Sequence, residues 1–224
     1  VNFLGSGELS KGFGDGDGMI PGEGAGLVLL KPLRMAERDG DRIDGVIRAS
    51  FVNHSGGRQM YGAADPAGQA DLIAKTIERS GLNAMDISYV EAAVNGSELG
   101  DPIEIVALKK AFGRFTDKKS FCALGSVKSN IGQLEAASGI SQLTKVILQL
   151  RHGTLAPSIN ATPRNPNIKL EDSPFSIQEV AAPWTSTGGN PRRALINSFG
   201  AGGSYASLIV EERQQGAPTA LPDR

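Results

Sequence analysis

The chain has 224 residues, of which 40% are hydrophobic and 29 are glycine, so it can bury the core of one large domain or two small ones. Lys and Arg number 23 against 24 Asp and Glu, and this net charge of -1 offers no basic field for nucleic acid. No apolar run approaches the roughly 20 residues of a membrane span. The single cysteine, Cys122, excludes an internal disulfide framework and suits a reducing cytoplasm.

The first part of the chain is dominated by glycine. Residues 12–18 and 21–26 form a Gly-rich stretch before the apolar run 27–30, which predicts a short buried strand. A dinucleotide-binding fingerprint needs the opposite order, with glycines after a strand and before a helix. A calcium loop starting at Asp15 lacks the acid at its twelfth position, where Gly26 stands. A structural loop is therefore favoured, and a nucleotide-binding loop remains the weaker alternative. The opening residues, which lack an initiator Met, suggest that further residues lie upstream or on another chain.

Strands and helices then alternate along the chain. Helices are predicted at 32–38, 67–80, 102–112 and 132–150, and strands at 43–52, 87–92, 121–127, 175–178, 193–198 and 206–211. This alternation predicts an α/β fold with helices layered on a sheet. The end of the chain, 213–224, has the composition of a linker or tail.

The residues usually associated with catalysis have structural explanations. Cys122 lies in an apolar run that predicts a buried, unreactive strand position, without the cationic neighbour that a reactive thiolate needs. His152 stands at the C-terminal end of a predicted helix, where it interacts favourably with the dipole. His54 follows a predicted strand. Neither histidine has partners at metal-ligand spacing, so no metal site is predicted.

Two other strings are better candidates for a site. Residues 125–132 join a strand to a helix, where α/β sheets commonly build their sites. Residues 197–204 form a Gly-rich turn between strands, and closely packed glycines let backbone N–H groups point into a cavity as an oxyanion hole does. Composition alone leaves open whether either loop lines a site.

Taken together, these strings resemble the C-terminal half of a β-ketoacyl synthase, specifically a ketosynthase domain of a modular polyketide synthase. The matching strings occur in family order at 21–26, 99–104, 125–132, 134–137, 165–167 and 198–203. The resemblance covers about 13–212, which gives a ketosynthase half at 1–212 and a tail at 213–224. The residues at 65–66, 69–70 and 118–122 look most like ketosynthases of trans-acyltransferase assembly lines.

The resemblance implies a thiolase-type fold of two similar halves and a homodimer. In such enzymes an acyl chain moves from the phosphopantetheine of an acyl carrier protein to a cysteine in the N-terminal half. Decarboxylation of a malonyl group then gives an enolate that attacks the acyl thioester, assisted by two histidines of the C-terminal half. No cofactor beyond the carrier's arm is implied.

Carried over residue by residue, the resemblance places two substitutions at the centre of the site. The first catalytic histidine corresponds to Ala93 and the second to Gln133. The family lysine corresponds to Lys128 and its expected acidic partner to Glu135. Alanine can neither donate a hydrogen bond nor take a proton, and glutamine cannot change protonation state as histidine does.

The remaining family positions belong to the oxyanion hole and acyl pocket. Ala201 corresponds to the residue whose backbone N–H lines the oxyanion hole, so that element is expected to survive. The pocket positions that accompany it are Phe199, Gly200, Gly202, Asn95 and Ser97.

The sequence therefore predicts a non-elongating ketosynthase part that passes acyl chains between carrier proteins once an N-terminal half supplies the cysteine. The alternative is a catalytically inert structural or docking element of the assembly line. In either case the isolated half is expected to expose apolar surface and to need a partner.

Overall fold

The computed structural model describes residues 3–56, 62–186 and 189–213. The five α-helices of this described part are α1 (Leu33–Arg38), α2 (Pro66–Ser80), α3 (Gly100–Phe112), α4 (Lys128–Ile131) and α5 (Ser138–His152). The strands are β1 (Val46–His54), β2 (Tyr89–Glu91), β3 (Cys122–Gly125), β4 (Thr154–Leu155), β5 (Phe175–Ile177), β6 (Ala182–Pro183), β7 (Arg193–Phe199) and β8 (Ser204–Glu211). The strands and helices alternate, as the sequence predicts.

Six of the strands form one mixed sheet in the order β1-β8-β7-β2-β3-β5. The strands β7, β2, β3 and β5 run parallel to one another. On the other side of β7, β8 pairs antiparallel with β7, and β1 pairs antiparallel with β8. The short β4 and β6 pair separately. Because β7, β2 and β3 are parallel neighbours, their carboxyl ends and the loops that follow them meet at one edge of the sheet.

Helices cover both faces of this sheet, and β7 shows why. Its Leu195 packs into a core cluster with residues of α2 and α3, such as Ile73 and Leu108. The neighbouring Ala194 and Ile196 point to the other face, where they pack with α5 residues. Alternate side chains of a strand face opposite sides, so the apolar run 194–196 needs cover on both faces. The layered α/β prediction is confirmed.

The helix α2 shows how the local sequence sets these elements. Asp65 caps its start by accepting hydrogen bonds from the N–H groups of Ala67 and Gly68, and Pro66 occupies the first turn. Gly81 ends it in the left-handed conformation, with φ of 66°. Both boundaries agree with the predicted helix within a residue.

Two predicted elements differ from the structure. Residues 27–30, predicted as a buried strand, belong to no strand of the described chain, and Leu27 is 93% exposed. The predicted helix 132–150 begins only at Ser138, because Gly132 and Glu135 both adopt positive φ and break it. The predicted buried strand at 27–30 is therefore wrong, because apolar content does not show whether another element covers the run.

The structure also bears on the expected absence of a membrane span and on the two ends of the chain. None of the described helices is long and apolar enough to cross a membrane. Of the predicted tail 213–224, only Arg213 is described, and it pairs with Glu37. Val1 and Asn2, and the rest of the tail, lie outside the described residues.

Candidate functional site

The candidate site lies where the loops after β2, β3 and β7 meet. The loop after β2 carries Ala93, the one after β3 leads to Lys128, and the one after β7 carries Ala201. The N-terminal end of α5 adjoins β7, since a Cβ on Gly139 would lie 3.5 Å from Ser198 Oγ. The fold therefore gathers both loop strings that the sequence singled out.

The backbone of Ala93 is held from two sides. Its N–H donates to Glu104 Oε1 of α3 at 3.0 Å, and its carbonyl accepts a hydrogen bond from Lys128 Nζ at 2.8 Å. All three residues are buried. The position is thus fixed precisely by charged side chains, while the residue itself presents only a methyl group.

Glu104 also connects this position to β7. Its Oε1 accepts a second hydrogen bond from Asn197 Nδ2 at 3.0 Å, and Asn197 Oδ1 accepts from Ser207 Oγ on β8. Gln142 of α5 donates to the carbonyl groups of Ala92 and Asn197. One hydrogen-bonded network therefore ties β2, β7 and β8 to α3 and α5 beneath the site.

Burial sets the protonation of this network. Desolvation raises the pKa of Glu104 to about 7 against the hydrogen bonds from Ala93 and Asn197. Desolvation lowers the pKa of Lys128, opposed by the neighbouring charges of Glu104, Asp101, Glu91 and Glu135 in that order. A carboxyl and an amine thus share a water-poor site in which neither holds its charge as readily as it does in solvent.

The expected pairing of Lys128 with Glu135 differs from the structure. Lys128 Nζ donates a hydrogen bond to the carbonyl of Ala93. The side chains of Lys128 and Glu135 form no ion pair in the described part of the chain. Glu135 is exposed in a short 3-10 turn (Glu135–Ala137) and has φ of 50°. This backbone turn carries Glu135 to the surface, so Glu104 and Asp101 are the leading acidic neighbours of the buried amine.

Gln133 lies between α4 and α5. Its backbone bonds to Ile20 and Gly22, which ties it to the Gly-rich stretch. Its side-chain Oε1 accepts a hydrogen bond from Ser138 Oγ at 3.0 Å, and its Nε2 has no acceptor within the described residues. The amide at this position is oriented by the first residue of α5 and retains N–H groups to donate.

The loop between β7 and β8 carries the residues for which an oxyanion hole is predicted. The Gly200 N–H donates to Ser204 and the Gly203 N–H to Gly200, so the turn closes on itself. The N–H groups of Ala201 and Gly202 have no acceptor in the described part of the chain. Phe199 packs edge-on against Tyr205, with ring centroids 5.2 Å apart.

The side chains of Asn95 and Ser97 accept hydrogen bonds within the turn that precedes α3. Asn95 Oδ1 accepts from the Ser97 N–H, and Ser97 Oγ accepts from the Gly100 N–H. Asp101 gathers the N–H groups of Phe13, Asn95 and Gly96. The structure therefore gives Asn95 and Ser97 a local role in shaping the loop that holds Ala93.

A second buried cluster lies under the same loops. Lys145 Nζ contacts Glu91 Oε2 at 2.8 Å, and the Tyr89 hydroxyl donates to the same oxygen at 2.6 Å. The other oxygen of Glu91 accepts from the N–H of Val127. Glu91 thereby fixes the start of the loop that leads into Lys128.

Cys122 and the two histidines lie outside this site. Cys122 is buried in β3, which confirms the predicted strand position, and burial raises the pKa of its thiol well above the usual range. His54 ends β1 and accepts a hydrogen bond from the Gly56 N–H, and His152 ends α5. Within the described ranges, no three His, Cys, Asp or Glu side chains are placed to share a metal ion.

The chain is similar to ketosynthases at every level of comparison. Residues 44–162 match the family model described as the β-ketoacyl synthase, C-terminal domain. Polyketide synthase PksR of Bacillus subtilis (strain 168) is 61% identical over 224 residues, which is 97% of this chain and 9% of PksR. Polyketide synthase ThaQ of Burkholderia thailandensis is 49% identical over 94% of this chain and 10% of its own length. The chain belongs to the β-ketoacyl synthase family.

Solved structures agree with this assignment. The oxazolomycin ketosynthase domain OzmH KS7 of Streptomyces albus JA3453 superposes with a TM-score of 0.92 at 43% identity, over 96% of this chain and 39% of its own chain. The ketosynthase from module 6 of the bacillaene synthase of Bacillus subtilis 168 gives a TM-score of 0.92 at 42% identity over 95% of this chain. The fold is thus the thiolase-type ketosynthase fold, and the chain is part of a polyketide synthase ketosynthase domain that spans well under half of the solved domains.

The sequence also contains signals for two of the supporting residues. Glu91 stands in an otherwise apolar predicted strand, and Glu104 stands on the apolar side of a predicted helix. Charged residues are seldom buried without a partner, so acids at such positions indicate a paired internal network. Asn197 and Gln142 carried no comparable signal, because their partners come from distant parts of the chain.

Proposed function

We propose that this ketosynthase part belongs to a non-elongating ketosynthase that passes acyl chains between carrier proteins without decarboxylative condensation. The observation that carries the proposal is the contact set around Ala93. Glu104 and Lys128 hold its backbone in a buried, hydrogen-bonded position, yet its side chain can neither donate a hydrogen bond nor exchange a proton.

The second position supports the same conclusion. Gln133 can donate a hydrogen bond through its amide but cannot act as an acid or a base. An enolate that forms in a dry site needs donors aimed at its charge, and one such donor is worth about 10²–10³ in rate. We infer that the replacement of both histidines of the family pattern removes useful condensation.

Acyl transfer makes smaller demands. The thiolate of a cysteine in the N-terminal half forms a C–S bond to the acyl carbonyl carbon, the C–S bond to the carrier's phosphopantetheine breaks, and the released thiolate takes up a proton. The tetrahedral oxyanion of this step needs N–H donors, and the free N–H groups of Ala201 and Gly202 are available for it.

The partners follow from this chemistry. An N-terminal half, on the same or a separate polypeptide, supplies the cysteine, and acyl carrier proteins supply and receive the chain. We infer a homodimeric assembly, and an assembly line of the trans-acyltransferase type, from the resemblance in sequence.

The test uses the assembled ketosynthase, with its N-terminal half, incubated with acyl- and malonyl-carrier proteins and followed by intact-mass spectrometry. We expect the acyl mass on the ketosynthase and no β-ketoacyl product, while a ketosynthase that carries both histidines, assayed in parallel, extends the chain. An extended product from the present protein would refute the proposal.

A second candidate is an inert docking element of the assembly line. The burial of Cys122 favours this candidate, because the described chain then offers no accessible cysteine thiolate to accept an acyl group. In the same assay this alternative predicts no acyl mass on any cysteine of the assembled protein.

A further inference from the structure

The helix α3 carries an apolar stripe on the side that faces away from the sheet. Leu99 and Val106 are 68% and 55% exposed, and Ile103 between them is partly exposed. The opposite side of the helix, with Leu108 and Phe112, belongs to the core cluster on this face of the sheet. Residues at this spacing lie above one another on a helix, so the stripe runs along the outer face of α3.

The same face becomes basic towards the C-terminal end of α3. Lys110 continues the stripe one turn beyond Val106. The segment 109–119 holds five Lys or Arg residues and one acid, Asp117, in a chain whose net charge is only -1. The group called here the α3 basic patch consists of Lys109, Lys110, Arg114, Lys118, Lys119 and Lys169, all at least partly exposed.

The lysines of this patch are oriented without being neutralised. Lys109 Nζ donates to the carbonyl of Lys169 at 3.0 Å, and Lys119 Nζ donates to the carbonyl of Asp172. None of the five lysines forms an ion pair with a carboxylate within the part of the chain that the structure describes. A carbonyl group accepts a hydrogen bond from an ammonium group but carries no opposite net charge. The positive charges therefore remain uncompensated.

The helix dipole accounts for only part of the patch. Lys109 and Lys110 lie in the last turn of α3, where positive charge is favourable. Lys118, Lys119 and Lys169 lie on loops outside the helix. Holding like charges close together costs free energy, and a partner of opposite charge offsets that cost.

We propose that the outer face of α3 and the α3 basic patch form a docking surface for an acidic amphipathic helix of another domain of the synthase. The docked helix packs its apolar side chains along Leu99, Ile103 and Val106. Its carboxylates lie against the lysines at the C-terminal end of α3. The inference goes beyond the proposed function and does not depend on it.

The shape and charge of the surface favour this occupant. An apolar stripe with spacings of three and four residues is the seam along which a second helix packs. The stripe ends beside the basic patch, where Phe115 adds an aromatic side chain that is 37% exposed. A nucleic acid or a membrane surface fits less well, because phosphate groups find no apolar complement in themselves and are gripped best by arginine.

The position of the surface separates it from substrate delivery. Lys119 and the residues near Lys169 come shortly before β3 and β5 begin, whereas the candidate site is built on loops that follow the strands. The basic patch therefore lies at the opposite edge of the sheet. This chain spans 9% of PksR and 10% of ThaQ, so most of such a synthase lies outside it and the docked helix is sought there.

The experiment uses the assembled ketosynthase with its N-terminal half, and a fluorescent helical peptide of about 18 residues, or about 27 Å, as the probe. The peptide carries leucine at spacings of three and four residues and glutamate at the other positions. A matched peptide has glutamine in place of every glutamate. Binding is measured by fluorescence anisotropy at low salt and at about 0.5 M salt. A DNA duplex and phosphatidylserine vesicles serve as competing probes.

We expect the acidic peptide to bind and Lys110→Glu/Lys118→Glu to weaken its binding at least about 10-fold, as high salt does. Val106→Glu is expected to weaken binding similarly, because it places a carboxylate in the apolar stripe. Lys110→Arg/Lys118→Arg keeps both charges and should retain the affinity within about 3-fold. The matched control, Arg34→Glu/Arg38→Glu on the exposed side of α1, changes the net charge equally and should retain it too.

Thermal melts of the same samples show whether each variant retains its fold. If the double variant melts early, Lys118→Glu alone repeats the test, because Lys118 lies on a loop. Failure of the acidic peptide to bind, equal binding of the glutamine peptide, or unchanged affinity of the folded charge-reversal variant would overturn the inference. So would displacement of the peptide by the DNA duplex or the vesicles. The assay contains no acyl group, so its outcome is independent of the acyl-transfer assay.

Discussion

Ala93 is held in place by a buried hydrogen-bonded network, although its own side chain is only a methyl group. Glu104 and Lys128 each use a charged group to hold one backbone atom of this residue. Burying such groups costs free energy unless they are hydrogen-bonded, so the network is a structural requirement of the loop. A change at Glu104 should therefore be visible in stability as well as at the site.

The variant Glu104→Gln tests the protonation of this network. Glutamine can still accept from Ala93 and Asn197 through one oxygen, but it stays neutral at every pH. Burial raises the pKa of Glu104 to about 7, so the folded wild type binds the proton more tightly than the unfolded chain. Its stability contribution is complete below pH about 4.5 and is lost as the pH rises towards 7, by at most about 1.4 kcal/mol per pH unit.

The measurement is urea unfolding of the assembled ketosynthase between pH 4.5 and 7.5. We expect the wild type to lose stability relative to Glu104→Gln as the pH rises through this range, with a constant difference above it. Glu98→Gln, at an exposed position just before α3, serves as the control and should follow the wild type. A pH-independent difference between Glu104→Gln and wild type would contradict the raised pKa.

At the scale of elements, the junction between α4 and α5 places Gln133. The apolar spacing predicted one helix over 132–150, but Gly132 adopts φ of 81° and Glu135 φ of 50°. Gly132 also contacts the Gly-rich stretch, where a Cβ would lie 3.0 Å from the carbonyl oxygens of Ile20 and Pro21. A conformation available to glycine and a close backbone approach thus interrupt the helix at the site.

Gly132→Ala is expected to lower the free energy of unfolding by at least about 1 kcal/mol and to displace Gln133. Gly139→Ala is the matched control inside α5, where a Cβ meets only Ser198 at ordinary contact distance. That control should be neutral or stabilising by up to about 1 kcal/mol, because alanine is the better helix former. Chemical denaturation of both variants measures the contrast, and equal effects would contradict the assigned role of Gly132.

At the scale of the whole molecule, the apolar surface has an uneven distribution. The core clusters on both faces of the sheet are well covered, whereas Leu27, Leu29 and Leu30 are exposed. They lie near a largely apolar groove along α5 that is lined by Gly26, Leu134 and Ile140. Contiguous exposed apolar surface of this kind promotes association. The state of the chain in solution therefore depends on whether that surface is covered.

We expect the chain expressed alone to self-associate, with sedimentation velocity showing a distribution that shifts to larger species as concentration rises. Leu27→Glu/Leu29→Glu should reduce this association, because charges oppose edge-to-edge pairing. Val180→Glu should not reduce it. A monodisperse wild-type monomer with a cooperative melt would contradict the expectation.

The sequence by itself determined the alternation of the main strands and helices, the layered α/β fold and the ketosynthase resemblance. Periodicity and capping are local, so α2 with Asp65 and Gly81 was predicted within a residue. The motif strings also located the candidate loops, because glycine turns and strand ends have short-range signatures.

Only the tertiary structure decided which charges support the site and which apolar run lies open. Glu104 reaches Ala93 and Asn197 from α3, and Glu135 turns away from Lys128 through a backbone conformation that composition does not encode. Residues 27–30 have the apolar character of a buried strand, yet burial depends on what packs against them. Partners distant in sequence fix both features, because pairing and cover are properties of the folded chain and not of any local pattern.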